Sequence, residues 1–569
     1  MLRIAARLVL IAGCLPVFAA SAALSQEVEL DTASSESLLM DQSTLPNAID
    51  LKGTRPKADP SVTPPAATTL PADLDALSSP DSLALPDVPS QVTIRELRPL
   101  TLAEVEQLAE VNSPLLKIAA SQVDQAKSEV LAKTALWYPT VSLLANGLPQ
   151  YLDGEQYRNP DFLASSINPD TGIPQIQPDT NSAQWSANFQ ASVQWDLINP
   201  ARVPSIAGAR DALEKSNFGY LIALRELRLE ASTFYFRLQR ADEQVRIGQE
   251  GVRASLVSLR DADARYRAGV ATKVEVLEAQ NQLALDRQTL TNGLRDQSKR
   301  RRALAKLLNL PEDVTPTAAS PANVTGLWQP SLQESIIAAY AFREELDQFL
   351  LDISINNSNA NSALAAVQPS LTLSNGFTTN RTQGQSGRQG SIDFDDYRWS
   401  VQNSVGLNVS WNIFDGGASR ANYRKSKQKA EESKFRFAKE RDFIRNQVEE
   451  SFFDLRAASQ NIYTTTRAVR FNGETLRLVR LRFQAGVTTQ REVVDAQRDL
   501  TRSEVDYAQA IEDYNISIAN LRRRTGLDQV AACPSSNLPA TKSGQPYSDI
   551  PIEPIPIPSP CEGGVPAQG

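Results

Sequence analysis

Two pairs of acids stand three residues apart in this chain, Glu275 with Glu278 and Glu492 with Asp495. Residues at that spacing share a helix face, so each pair would present two carboxylates side by side. Each pair follows an Ala-Gly-Val sequence, Ala268-Gly269-Val270 and Ala485-Gly486-Val487, with the same spacing. The chemistry open to such acids is electrostatic: they concentrate cations and repel anions. Acids on helix surfaces are common, and the same residues read equally well as a solvated face. Covalent chemistry has little to draw on. The 569 residues include no histidine, which excludes Ser-His and Cys-His catalysis, histidine-ligated zinc or haem, and histidine pH sensing. The sequence holds no phosphate loop, nucleophile elbow or metal-ligand cluster, so neither an enzyme nor a cofactor or metal is expected. The basic run "DQSKRRRALAK" (296–306) reads as a solvated helix face and not a nucleic-acid patch in a chain of net charge -8.

The ends of the chain frame these motifs. Residues 1–22, with Arg3, Arg7, an apolar run and small residues near Ala22, read as a cleaved secretory signal peptide. Ile11-Ala12-Gly13-Cys14 also resembles a lipobox, which would make Cys14 a lipidated N-terminus, although the apolar run continues beyond it. Residues 24–100 carry 12 acidic against 5 basic residues, and nine prolines lie between Pro56 and Pro99. Such a stretch cannot bury enough apolar surface to offset its ordering entropy, so 23–91 is expected to be a disordered acidic linker. Residues 528–569 form a Pro-rich tail in which Cys533 and Cys561 can pair as a disulfide in an oxidising compartment or stay as two thiols. No apolar stretch after the signal is long enough for a transmembrane helix.

Between the ends the sequence repeats. "RYRAGVATKVEVLEAQNQL" (265–283) matches "RFQAGVTTQREVVDAQRDL" (482–500) at an offset of 217, and Trp195-Asp196-Leu197 answers Trp411-Asn412-Ile413. Two half-repeats, 92–310 and 311–527, each read short helix, helix, strand, loop, strand, very long helix, tight turn, long helix. Leu224, Leu227, Ala231, Phe234, Leu238, Ala241, Val245, Gly248, Val252 and onward to Tyr266 alternate in steps of three and four, the seam of helices packed side by side. The long helix over 200–267 would span ~100 Å and its return over 272–308 only ~55 Å; a helix over 113–137 adds ~38 Å. Each long helix therefore has room for two shorter ones stacked end to end along it.

Four strands are expected at about 139–146, 186–197, 370–379 and 400–413. "SANFQASVQWDL" (186–197) alternates apolar and polar without a fault, and Val401, Val405, Leu407, Val409, Trp411 and Ile413 share a face broken only by Asn403. Soluble half-buried strands alternate identically; lipid-facing strands of this length add aromatics near the interfaces, as Trp195 and Trp411 do. Lipid tolerates no open sheet edge and known barrels start at eight strands. Four strands cannot close alone, so a membrane reading requires that copies pool them.

The chain resembles the TolC-type outer membrane efflux protein family over about 100–527. The resemblance rests on "LTLAEVEQLAEVNSPLLKIAASQVDQAKSEVLAKTALWYPTVSL", "VSWNIFDGGASRANYRKSK" and the paired Ala-Gly-Val turns followed by Ala-Gln. It implies a mainly α fold with membrane β: a homotrimer whose antiparallel helices form an α-barrel tunnel capped by a 12-stranded β-barrel, four strands from each chain. A mixed equatorial region is expected at 92–112, 309–340 and the start of the tail. It further implies an outer-membrane exit duct for efflux or type I secretion, reaching into the periplasm. The partners implied are a periplasmic adaptor (a membrane fusion protein), an inner-membrane transporter driven by ATP (an ABC type) or by protons, and outer-membrane lipid. Glu492 and Asp495 are placed by it at the lumen of the periplasmic gate, with Glu275 and Glu278 as first-half equivalents and Glu275 part of the latch. Ala268, Gly269, Val270, Ala485, Gly486 and Val487 are placed at the adaptor-docking tip. Thr488 and Phe483 depart from the arginine and tyrosine that can occur in the family. The alternative of another class is a periplasmic coiled-coil adaptor or scaffold.

Overall fold

The computed structural model describes residues 66–94, 96–156, 170, 172, 180–387, 397–527 and 530–531. The expected signal peptide with Cys14, the linker before residue 66, and Cys533 and Cys561 lie outside the described residues.

The element order runs twice through a similar series. Strand β1 (Glu96–Leu100) leads into α1 (Leu102–Asn112), α2 (Pro114–Thr134), β2 (Thr140–Gln156), β3 (Thr180–Ile198), α3 (Arg202–Arg267) and α4 (Lys273–Leu307). After β4 (Val314–Ala318) and β5 (Leu327–Trp328) come α5 (Leu332–Phe342), α6 (Glu344–Ala365), β6 (Ser370–Gly387), β7 (Tyr397–Ser410), α7 (Ala418–Gln484), α8 (Gln490–Thr525) and β8 (Val530–Ala531). The short helices α1 and α5 start alike. Thr101 caps α1 with Glu104 reaching back to it, and Ser331 caps α5 with Glu334, so each satisfies otherwise orphaned backbone N–H groups.

Helix α3 is the spine. It packs against α2 and α6 toward the strands and against α4 and α8 toward the far end; α7 packs on α6 and α8. The expected seam is buried along α3: Leu224, Leu227, Ala231, Leu238, Ala241, Val245, Val252 and Ala262 are all covered. Leu116 of α2 and Leu304 of α4 share one cluster on α3, so the two shorter helices meet there end to end. Along α7 the cover is thinner. Leu455, Ile462, Val469 and Val479 are only half-buried, because α7 has helical neighbours on one side alone.

Parallel pairing joins β1 to β4, and β5 pairs with β8. Near this level a buried ion network ties the halves. Arg225 of α3 meets Glu344 of α6 at 2.8 Å, while Glu345 accepts from Arg343 at 2.9 Å and from Arg523 of α8 at 2.8 Å. Gly526 ends α8 with φ +73°, and a Cβ there would stand 2.6 Å from Arg225 Nη1 and 2.8 Å from Phe342 Cβ.

The strands form one antiparallel sheet in the order β2-β3-β6-β7, leaving β2 and β7 as free edges. They are longer than alternation alone predicts. Pairing continues past Asn146 through an irregularity at 147–149 to Gln156 opposite Thr180, and β6 runs on to Gly387 through residues read as loop. Polar and glycine residues hide these extensions from any hydrophobic pattern, but backbone pairing does not need one. Trp411 falls just past β7, whereas the predicted strand reached 413.

One face of the sheet is apolar and uncovered. Cross-strand rows run Val141–Val193–Asn375–Val405 and Leu143–Ala191–Phe377–Asn403. Val405, Leu407 and Val409 are 63–72% exposed. The odd residue, Asn403, is matched on the same face by Asn375, whose amide donates to it at 3.1 Å. The opposite face is polar: Ser142 meets Ser192 at 2.7 Å, and Asn408 donates to Ser374 at 3.0 Å. Aromatics bracket the apolar band. Trp195 donates to the Trp137 carbonyl at 3.0 Å and Trp411 to the Val367 carbonyl at 3.1 Å, the same device in each half. Toward the other end Tyr151 packs on Trp185 with centroids 5.0 Å apart. The ten residue steps from Trp185 to Trp195 cover ~33 Å of strand, which at a tilt near 40° is ~25 Å of height, matching the apolar band of outer-membrane barrels in general. Among the described residues no helix is long and apolar enough to cross a membrane.

The acidic segment is not all loose. Between Ala66 and Ser79 it straps over α1 and α3, correcting the expectation of disorder through residue 91. Leu74 and Leu77 are buried in the main cluster with Leu108 and Tyr235. Ala67 N–H donates to Glu110 at 2.7 Å, and Asn112 donates to the Leu77 carbonyl at 2.8 Å while accepting from Ser79 N–H at 3.0 Å. Average composition concealed a short apolar repeat whose backbone is satisfied by two buried polar side chains of α1.

Candidate functional site at the helical tips

Both hairpin turns are built by the same hydrogen bonds. Gly269 N–H donates to the Tyr266 carbonyl at 2.9 Å and Val270 N–H to Arg265 at 3.0 Å; Gly486 donates to Phe483 and Val487 to Arg482, each at 3.0 Å. Gly269 and Gly486 have φ of 77° and 75°, the left-handed cap that glycine adopts without penalty. Val270 and Val487 project into solvent, 66% and 64% exposed, beside exposed Ala268 and Ala485. The six expected tip residues therefore form two small, apolar, rigid knobs.

The four acids divide. Glu275 turns back on its own helix start, accepting from Thr272 N–H at 3.2 Å and from its hydroxyl at 3.3 Å. This capping box is legible as Thr-x-x-Glu at 272–275, and it occupies the carboxylate assigned to a latch. Glu278 is half-buried one turn further on, and Glu492 is exposed at the start of α8. Asp495 accepts a close hydrogen bond from Arg498 and faces Arg491 at 3.9 Å. The α8 pair is thus one bare carboxylate and one flanked by two guanidinium groups.

The contacts that join the two tips involve residues the acid pattern does not include. The Arg265 guanidinium lies 4.3 Å from the Phe483 ring centre and its Nη1 donates to the Phe483 carbonyl at 3.1 Å. Gln490, almost fully buried, donates to the Ser258 hydroxyl across the same gap. Its Oε1 finds no partner among the described residues. Phe483 is buried although its repeat partner Tyr266 is exposed. Offset alignment pairs Arg265 with Arg482 and so gives no sign that Arg265 would cross to the other half. Above this bridge lies a cleft of about 350 Å³ lined by Ser258, Asp261, Gln282, Arg480, Phe483 and Gln490. At its upper end Ser255 and Gln282 both donate to Asp286, whose carboxyl is pushed up by burial and drawn back by those bonds. The first hairpin is thereby cross-linked within itself. At the tips the two hairpins meet through Arg265 and Gln490, while further from the tips α3 and α8 are joined by Arg240 with Glu512 and by Glu226 with Arg523.

A sheet with one bare apolar face, girdled by aromatics and continued by a layer of very long helices, is the architecture expected of an outer-membrane channel protein. Residues 105–310 and 338–527 match the outer membrane efflux protein family, and the chain belongs to that family. It is 23% identical over 368 residues to the outer membrane protein OprJ of Pseudomonas aeruginosa, covering 63% of this chain and 74% of OprJ. Its fold is similar to that of the outer membrane protein VceC from Vibrio cholerae, with a TM-score of 0.58 and 14% identity over 75% of this chain and 96% of that one. It is also similar to the open-state MtrE outer membrane channel of Neisseria gonorrhoeae, with a TM-score of 0.57 and 18% identity over 75% and 88% of the two chains.

Proposed function

We propose that three copies assemble into a passive exit duct across the outer membrane and periplasm, the outermost part of a tripartite efflux or type I secretion system. One observation carries this reading: the sheet and the helical layer both end in free edges, β2 with α2 on one flank and β7 with α7 on the other, while the apolar sheet face is bare. Three chains supply twelve strands, enough to close a barrel, and the same step gives α7 its missing neighbour. The polar sheet face then lines the pore, and the tips narrow it at the periplasmic end.

Selection at that end is electrostatic. Three copies of Glu492 and Asp495, backed by Glu278 and the cap-bound Glu275, set a cation-attracting constriction. The knobs at Ala268-Gly269-Val270 and Ala485-Gly486-Val487 are the docking points for a periplasmic adaptor, which links the duct to an inner-membrane transporter.

Conductance in planar bilayers tests the reading. Wild type should form a cation-preferring pore, and Glu492→Ala with Asp495→Ala should lose most of that preference. A pore whose selectivity ignores the double change would remove the gate assignment. The adaptor or scaffold alternative is disfavoured by the uncovered apolar sheet, and recovery of the protein in the aqueous periplasmic fraction would reinstate it.

A further inference from the structure

Between the strands and the body of α7 lies a concentration of unpaired positive charge. After Trp411 the chain turns through Ile413 and Phe414, which are 75% and 81% exposed. Asp415 fixes this turn by accepting from Ser419 N–H at 2.8 Å and Gly417 N–H at 3.0 Å. The helix then presents Arg420, Arg424, Lys425 and Lys429, all exposed, with no acid anywhere from Ala418 to Ala430. None of the four makes an ion pair with the described residues. Only Lys427 in this stretch is committed, donating to Asn357 at 2.9 Å. The pattern changes at Glu431. From there Lys434 pairs with Glu431 at 2.8 Å, Arg436 with Glu432 at 2.6 Å and Arg445 with Glu449 at 2.8 Å. The first half has no such excess: Arg202 at the start of α3 is buried against the Trp137 ring at 4.2 Å, and Lys215 is paired with Asp352 at 2.6 Å.

We propose that the first three turns of α7 form a basic collar that holds anionic phospholipid headgroups of the leaflet facing the periplasm; this rests on the channel reading, which sets the orientation. The geometry fits. Arg420 to Lys429 lie ~3–17 Å beyond the helix start, and the headgroup layer is several Å deep with a screening length of ~8 Å beyond it. Long basic side chains reach back toward a phosphate layer while their stems lie on the helix. Ile413 and Phe414 supply the apolar contact beneath them. Charge complementarity of this density beside a membrane rim marks anionic lipid, and each base contributes up to about fivefold in affinity.

Full-length protein is inserted into vesicles of phosphatidylethanolamine alone or with phosphatidylglycerol, floated on a density gradient, extracted into mild detergent and assayed for retained lipid. Wild type should float with both vesicles and retain phosphatidylglycerol in excess of its share, an excess that falls as salt rises. Arg420→Gln, Arg424→Gln, Lys425→Gln and Lys429→Gln together should lower it at least about tenfold, whereas Lys434→Gln with Arg436→Gln should leave it unchanged. A four-fold variant that floats and keeps the wild-type excess overturns the collar, as does a wild type without any excess. Protein that floats with neither vesicle overturns the channel reading itself.

Discussion

Asp495 and Arg498 bring two opposite charges within a hydrogen bond at the position where selectivity is proposed to arise. The arginine compensates the carboxylate, so Arg498→Gln should raise cation preference. Exposed pairs of this kind are worth ~0.2–1 kcal/mol, so a change of roughly 1.4-fold to fivefold in the permeability ratio is expected from reversal potentials. Arg265→Ala should act differently: it removes the ring contact and the carbonyl bond that join the tips. Basal conductance should rise while ion preference stays, and a variant with wild-type basal conductance would show that the bridge does not restrain the tips. At this scale the sequence was partly legible. Repeat matching placed the acids and the glycine turns, but it treats the halves as equivalents. The Arg265–Phe483 bridge exists because they are not: one tip lends a cation and the other an aromatic ring.

The ion network at the junction of α3, α6 and α8 makes a statement about pH. Burial alone would raise the Glu345 carboxyl, yet hydrogen bonds and charge from Arg343 and Arg523 hold it at about 2, below its ordinary value of 4.5. A depressed carboxylate contributes stability above its unfolded value and loses it as pH falls toward the folded one. Stability is therefore expected to drop between about pH 4.5 and 2, by ~3 kcal/mol from this group. Glu345→Gln should cost a comparable amount at neutral pH and flatten the acid limb of unfolding, followed by circular dichroism in detergent. The strap offers a second test: Leu74→Ala should destabilise by ~2–5 kcal/mol, because its side chain is fully buried. The long helices were legible, since a seam repeated over many turns is hard to imitate. The strap was not, because its apolar residues are few and its backbone partners, Glu110 and Asn112, lie on another element.

The described strands and long helices form an open layer with two unlike flanks, and its sheet has a wet side and a greasy side. The greasy side can be tested at neighbouring positions. Leu407→Lys places a charge on the bare apolar face and should impair membrane integration by ~2–4 kcal/mol, whereas Asn408→Lys, on the polar face, should integrate normally. Equal loss in both would mean that the two faces do not differ in their surroundings. Sequence alternation showed which residues share a face. It could not show how far the strands run, because their outer ends are held by ladder bonds between polar residues.

The unlike flanks carry a genetic consequence. If three copies close head to tail as proposed, every subunit offers its β7 side to the β2 side of the next, so a lesion confined to one flank still spoils one seam wherever that subunit sits. If damaged and intact chains are made in equal amounts and mix at random, only about one ring in eight is free of the lesion. Flank mutations should thus behave as dominant.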